Sequence, residues 1–271
     1  MALPARGGEA FQIIQAIQEE AEDMDAAWSG DRPKAIPIVP EKLTMEDFMA
    51  KASVQEAIEN GELPLGLDVM RVESVSIPME GFKHLAYISD NEESLIVITR
   101  HLVRAINHMA SRPRLMLIDS TGQYDSLSSQ VRTYVSTLAE LPVLADQLIE
   151  EYKMRQALSD EKREPWFIII PSLQTFLMQS NLSTTDWNTL FNTGYQVGLF
   201  FILGDHYQYL GVTSEANAKK VRTEAQWFIL GMRLVDQNFL DKVYNSKEPT
   251  LDSDEVYLHD RRHYEKLKIT V

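Results

Sequence analysis

His84-Leu-Ala-Tyr-Ile-Ser-Asp-Asn-Glu-Glu-Ser-Leu-Ile96 is the stretch on which the reading of this chain turns. Residues 84–88 read as a short buried strand, and from Leu95 to Met109 apolar residues recur at helical spacing. Strand, short turn and helix are the frame of a phosphate-binding Walker A loop, G-x-x-x-x-G-K-[ST]. In that frame Ser89 and Ser94 stand in the glycine positions, and Leu95-Ile96 stand where Lys and Ser/Thr belong. Asp90, Asn91, Glu92 and Glu93 fill the interior, so three carboxylates sit where a nucleotide would place its phosphates. A Walker loop works because glycines let backbone N–H groups face the phosphates while lysine supplies a positive charge. Two charges about 4 Å apart interact by roughly 4 kcal/mol at an effective dielectric near 20. Losing the lysine and gaining acids therefore changes phosphate affinity by orders of magnitude, at about 1.4 kcal/mol for each factor of ten. The plainer reading is that Asp90 and Asn91 cap the helix, with Glu92 and Glu93 favourable to its dipole.

Moving outward, further apolar strands alternate with helices. Leu63-Pro-Leu-Gly-Leu-Asp68 and Val72 to Met79 read as strands upstream, and Arg114-Leu-Met-Leu-Ile-Asp119 as a buried strand ending at an acid. A helix over 141–158 follows, then Trp166-Phe-Ile-Ile-Ile170, the most apolar strand, stopped by Pro171. Helices are expected over 172–179 and 185–195, and strands over 198–203, 226–230, 255–258 and 267–271. Continuously apolar strands separated by helices indicate a parallel sheet covered on both faces. The expected fold is thus α/β, doubly wound. Ligands of such sheets bind beyond the carboxyl ends of strands, where Ser89, Asp119, Pro171 and Gly204 gather.

Residues 1–62 have a different character. Residues 9–28 read as an amphipathic helix with Ile14, Ile17, Ala21, Met24 and Trp28 on one stripe. Gly30-Asp-Arg-Pro-Lys-Ala-Ile-Pro-Ile-Val-Pro40 is broken by prolines and reads as an extended connector. Two short helices follow, marked by capping-box patterns at Thr44/Asp47 and Ser53/Glu56. The division drawn from sequence is therefore a lead-in over 1–62 and a domain over 63–271.

Composition narrows the function classes. The 271 residues hold 26 Lys and Arg against 40 Asp and Glu, a formal −14, which disfavours nucleic acid. Lys219-Lys-Val-Arg222 and Arg261-Arg-His263 are the only dense basic stretches and read as solvated faces. Zero cysteines exclude disulfides, thiolate metal sites and cysteine nucleophiles. No apolar run reaches membrane-spanning length, and Met1 to Gly8 lacks a signal-peptide core. The six histidines show no metal-ligand spacing, so no metal site is expected.

The order of these elements, carried by Leu63 to Asp68, the loop at 89–96, the strand ending at Asp119 and the apolar strand 166–170, resembles the FtsK/SpoIIIE family of motor ATPases. More narrowly it is similar to the C-terminal, third ATPase domain of the membrane ATPases of type VII secretion systems, the EssC/YukB family of Firmicutes. Pro33 to Pro40 and Leu43-Thr-Met-Glu-Asp-Phe48 are similar to that family's connector between second and third ATPase domains. The resemblance covers residues 11–271 and implies a RecA-like, P-loop NTPase-type fold with helices on both faces. Active members carry an acid at the end of the Walker B strand, where this chain has Pro171-Ser172. Asp119 ends a core strand rather than the Walker B strand, and Asp205-His206 fall at a sensor position, where Asp205 reads as a helix N-cap.

The resemblance implies a cytoplasmic domain of a cell-membrane-anchored protein, without direct membrane contact. Its implied partners are the preceding ATPase domain and helical secretion substrates of WXG100 or LXG type, in a parent protein whose relatives form hexameric rings. With the Walker A and B positions both lost, the expectation is a non-catalytic pseudo-ATPase domain that binds ATP and Mg²⁺ weakly or not at all and acts in substrate recognition and regulation. The alternatives are a weak ATPase using a non-standard site around Asp119, Asp205 and His206, or a purely structural cap on a stack or ring of ATPase domains.

Overall fold

The computed structural model describes residues 10–30, 38–241, 243 and 247–271; the proline-broken connector falls mostly outside them. The chain divides into two units, residues 1–37 and 38–271, which are taken separately. The first contributes helix α1, Ala10–Ala27. Ile14, Ile17, Met24 and Trp28 of its apolar stripe are all exposed.

The second unit starts with α2 (Met45–Met49) and α3 (Ala52–Glu59). Thr44 caps α2 as the sequence indicates, its hydroxyl accepting the Asp47 N–H at 3.1 Å. Ser53 does not cap α3, because the helix already begins at Ala52 and its N-cap residue is Lys51. Leu43, Phe48, Met49, Val54 and Ile58 pack with Leu67 in a small core of their own. That shared core is why residues 38–62, assigned from sequence to the lead-in, belong to the compact unit.

The remaining elements, in order, are β1 (Glu62–Asp68), β2 (Ser74–Pro78), β3 (His84–Ser89), α4 (Glu92–Asn107), β4 (Arg114–Ile118), β5 (Thr133–Val135), α5 (Leu141–Gln156), β6 (Trp166–Ile170), α6 (Leu173–Gln179), α7 (Thr184–Thr193), β7 (Leu199–His206), α8 (Ala216–Glu224), β8 (Trp227–Leu230), β9 (Glu255–His259) and β10 (Tyr264–Lys268). All ten strands join one sheet in the order β2-β1-β10-β9-β8-β3-β7-β6-β4-β5. From β8 to β5 the neighbours are parallel. From β2 to β8 they are antiparallel. The doubly wound, mostly parallel α/β fold is borne out, with an antiparallel flank joined to one side. Three elements depart from the sequence reading. Strand β5 and helix α8 were not foreseen, and the last strand is 264–268 rather than 267–271. β5 has only three residues, and α8 is rich in polar residues with just Ala218 and Val221 buried, so neither shows a clear apolar period.

Strand alternation divides the core into two layers. Ala86, Ile88, Ile168, Ile170, Phe201 and Leu203 face one side, where α5, α6, α7 and α8 cover them. Leu85, Tyr87, Phe167, Ile169 and Ile202 face the other, under α4. Tyr87 lies opposite Gly204 in the β3–β7 register. A Cβ on Gly204 would fall 2.1 Å from the Tyr87 ring, so glycine is obligatory there. The Tyr87 hydroxyl meets Thr99 of α4 at 2.8 Å, pinning the helix that starts at the candidate site.

Candidate functional site

Only Asp90 and Asn91 separate β3 from α4. Ser89 closes the strand, its hydroxyl donating to the Gly231 carbonyl at 2.7 Å and accepting the Asn91 N–H at 3.0 Å. Asn91 is the N-cap of α4, its Oδ1 accepting the Glu93 N–H at 2.9 Å. Glu92 and Glu93 occupy the first turn, where the helix dipole favours negative charge. Glu92 accepts a bond from the Gln123 amide, and Glu93 one from Ser253 at 3.4 Å. Residues 92–96 are already helical, so an arch of backbone N–H groups has no room to form.

Asp119, fully buried, sits just past β4. Its Oδ1 accepts from Thr121 N at 3.2 Å, Thr121 Oγ1 at 3.0 Å, Gly122 N at 2.8 Å and Gln123 N at 3.3 Å. Its Oδ2 accepts from Tyr124 N at 2.8 Å and the Tyr134 hydroxyl at 2.7 Å. The carboxylate is the knot of the turn over 120–124, and its lone pairs are taken up by protein donors.

Asp205 and His206 end β7. Asp205 is buried and caps a helix, but not one that follows its own strand. Its Oδ2 accepts the Gln174 N–H of α6 at 2.7 Å, while Oδ1 accepts the His206 N–H at 2.7 Å. Ser172, the N-cap residue of α6, makes no side-chain cap bond, so Asp205 supplies one from the neighbouring strand. Burial pushes the Asp205 carboxyl up to about 6, against the lowering pull of those two amides. His206 Nδ1 accepts the Gln208 N–H at 3.2 Å, which leaves Nε2–H to donate to the Asp90 carbonyl at 2.9 Å. The imidazole thus ties β7 to the β3–α4 link.

Between these strand ends lies a cavity of about 350 Å³, lined by Asp90, Glu92, Leu95, Thr121, Gln123, Tyr124, Pro171, Ser172, Asp205 and His206. The sequence-derived positions at the ends of β3, β6 and β7 do converge. Ser89, Asn91, Glu93, Ser94, Ile96 and Asp119 are absent from the lining. Thr121, Gln123 and Tyr124 were not foreseen as lining residues; their position after a parallel strand was the available signal. The wall holds three carboxylates and no Lys or Arg. Among the described residues, no group of three or more His, Asp or Glu is placed to hold a metal ion.

No family model matches the sequence. Curated relatives do. The type VII secretion system protein EssC of Staphylococcus aureus strain MSSA476 is 23% identical over 266 residues, covering 98% of this chain and 18% of the relative. Its counterpart in strain MRSA252 is 24% identical over 271 residues, covering 99% and 18%. The chain therefore spans less than a fifth of these proteins. Among solved structures, EssC ATPases 2 and 3 from Geobacillus thermodenitrificans superpose with a TM-score of 0.72 at 17% identity, over 98% of this chain and 52% of that one. Thermomonospora curvata EccC ATPases 2 and 3, in complex with a signal sequence peptide, gives 0.67 at 15% identity, over 98% and 50%. The resemblance to the ATPase domains of type VII secretion proteins and the RecA-like fold are both borne out.

Proposed function

We propose that this chain, homologous along its length to part of the EssC secretion proteins, is a non-catalytic ATPase-fold domain of a type VII secretion motor. The observation that carries the reading is the β3–α4 link: two residues, capped by Asn91, opening on a cavity walled by Asp90, Glu92 and Asp205 without a cation. These residues do not fit MgATP. The link is too short to cradle phosphates, no lysine faces them, and Pro171 stands where a Walker B acid would hold Mg²⁺. The weak-ATPase alternative loses ground at Asp119, whose oxygens already serve six donors. With nucleotide chemistry gone, the sheet serves as a scaffold for recognition. The substrates are helical secretion proteins of the WXG100 or LXG type, and the domain regulates the motor that carries it. Support comes from the EccC neighbour, solved with a signal sequence peptide.

A structural role alongside recognition is favoured by α1. Its exposed Ile14, Ile17, Met24 and Trp28 form a stripe suited to packing on a preceding ATPase domain, in a parent protein that is membrane-anchored and assembles as a hexamer. The domain itself lies in the cytoplasm; no helix among the described residues is long and apolar enough to cross a membrane. Calorimetry with millimolar MgATP is expected to give no saturable heat, and pull-down with a cognate substrate to give a complex. Saturable nucleotide binding with phosphate release that Glu92→Gln abolishes would overturn the non-catalytic reading.

A further inference from the structure

The two basic stretches that read as separate solvated faces meet in space. Lys219-Lys-Val-Arg222 lies on the later turns of α8, and Arg261-Arg-His263 in the turn between β9 and β10. The Arg261 guanidinium joins them, donating to the Ala225 carbonyl at 2.7 Å and the Arg222 carbonyl at 2.9 Å. It thereby satisfies carbonyls at the C-terminal end of α8, where a cation is favoured. Lys83, just before β3, joins the group: its N–H donates to the Gln226 side chain at 3.0 Å, and its ammonium lies 5.1 Å from the centre of the Tyr195 ring.

The charges of this group are incompletely balanced. Lys220 pairs with Glu224 at 3.3 Å and His263 faces Asp260 at 3.6 Å. Among the described residues, Lys83, Lys219, Arg261 and Arg262 have no carboxylate within ion-pair distance. Lys83, Lys219 and Arg262 are exposed. A chain of formal −14 thus keeps a block of positive charge at the amino ends of its parallel strands, away from the acid-walled cavity.

Beside the block is a second cavity of about 270 Å³. Val75, Trp227 and Leu258 give it apolar walls, and Asp260, His263 and Glu265 a polar rim. The Trp227 indole N–H is closed off from solvent without a hydrogen-bond partner among the described residues, so the ring serves this cavity as an apolar wall.

We propose that this end of the domain docks an acidic polypeptide segment, whose carboxylates meet Lys83, Lys219 and Arg262 while one apolar side chain enters the cavity beside Trp227. The geometry favours a polypeptide over the two larger anionic partners. Screening confines attraction to about 8 Å at physiological salt, so a short segment feels the block and the two rim carboxylates, of which Glu265 is paired with Arg71 at 2.8 Å and Asp260 faces His263 at 3.6 Å. A lipid surface or nucleic-acid duplex extends beyond it and meets the carboxylates of the remaining surface. The proposal goes beyond the reading above: it concerns the opposite end of the parallel strands and holds whether or not nucleotide binds.

The test is fluorescence anisotropy of the full chain with a short fluorescein-labelled peptide of Glu and Asp carrying one central Phe. Saturable binding is expected, weakened about tenfold or more by Lys219→Glu with Arg262→Glu. Lys153→Glu on the exposed side of α5 leaves it unchanged, and circular dichroism confirms that each variant folds. Replacing the central Phe by Ser weakens binding several-fold. Absence of saturable binding, or binding indifferent to the charge reversals or to loss of the Phe, overturns the proposal. So does tighter binding of duplex DNA or of phosphatidylglycerol vesicles through the same residues.

Discussion

Asp119 and Asp205 both sit at the carboxyl ends of parallel strands, and both are buried, yet the protein treats them oppositely. Asp119 is surrounded by six donors from its own turn and from Tyr134, and is absent from the cavity wall. Asp205 accepts two backbone amides, faces the cavity, and is held up to about 6 by burial. Burial alone does not mark a functional acid. Donors that saturate a carboxylate convert it into structure, whereas an incompletely satisfied one keeps chemistry available at the price of stability.

The largest effect is expected at Asp119, whose oxygens serve six donors. Asp119→Ala leaves the amides of 121–124 and the Tyr134 hydroxyl without their acceptor, and should cost about 3–5 kcal/mol. Urea unfolding checks it, and a loss below about 1 kcal/mol would mean that the knot is dispensable. Asp205 is expected to show itself through pH. Its native carboxyl binds a proton more tightly than the unfolded one. The stability it contributes is therefore complete below about pH 4 and lost as pH rises through about 6. Asp205→Asn keeps an acceptor for Gln174 and removes the titration. Relative to wild type it should gain on the order of 2–3 kcal/mol between those limits. Denaturant midpoints from pH 4 to 7 that stay parallel for the two proteins would contradict this. The smallest effect belongs to the cap on the short link: Asn91→Ala should lower stability by about 1 kcal/mol, with Asn91→Asp close to neutral. Thermal melts of the three proteins decide it.

Much of this was legible in the residues. The strand at 166–170 is apolar at every position, which only a strand covered on both faces requires, and it lies in the middle of the parallel half. Asn91 followed by two glutamates is a helix start that needs no partner from elsewhere, and Asn91 forms the cap; Asp90, read as capping with it, instead offers its carbonyl to His206. Thr44 caps for the same local reason, while Ser53 fails because the chain entered α3 two residues earlier, with Lys51 at the N-cap. The target of Asp205 was not legible: its bond goes to Gln174, 31 residues away, on a helix brought alongside only by the β6–β7 pairing. Nor was the meeting of Arg261 with Arg222, which depends on β9 folding back antiparallel on β8.

The local order of strands, turns and helices, the loss of the phosphate-binding residues after β3 and the overall negative charge are properties of the sequence itself. They rest on side-chain periodicity, on capping within a few residues and on composition, none of which needs a distant partner. Which acids are consumed by donors, which ones face the cavity, and which cations share a surface were decided only by the sheet. Its strand order brings together groups far apart along the chain, and hydrogen bonding then fixes what each of them is free to do.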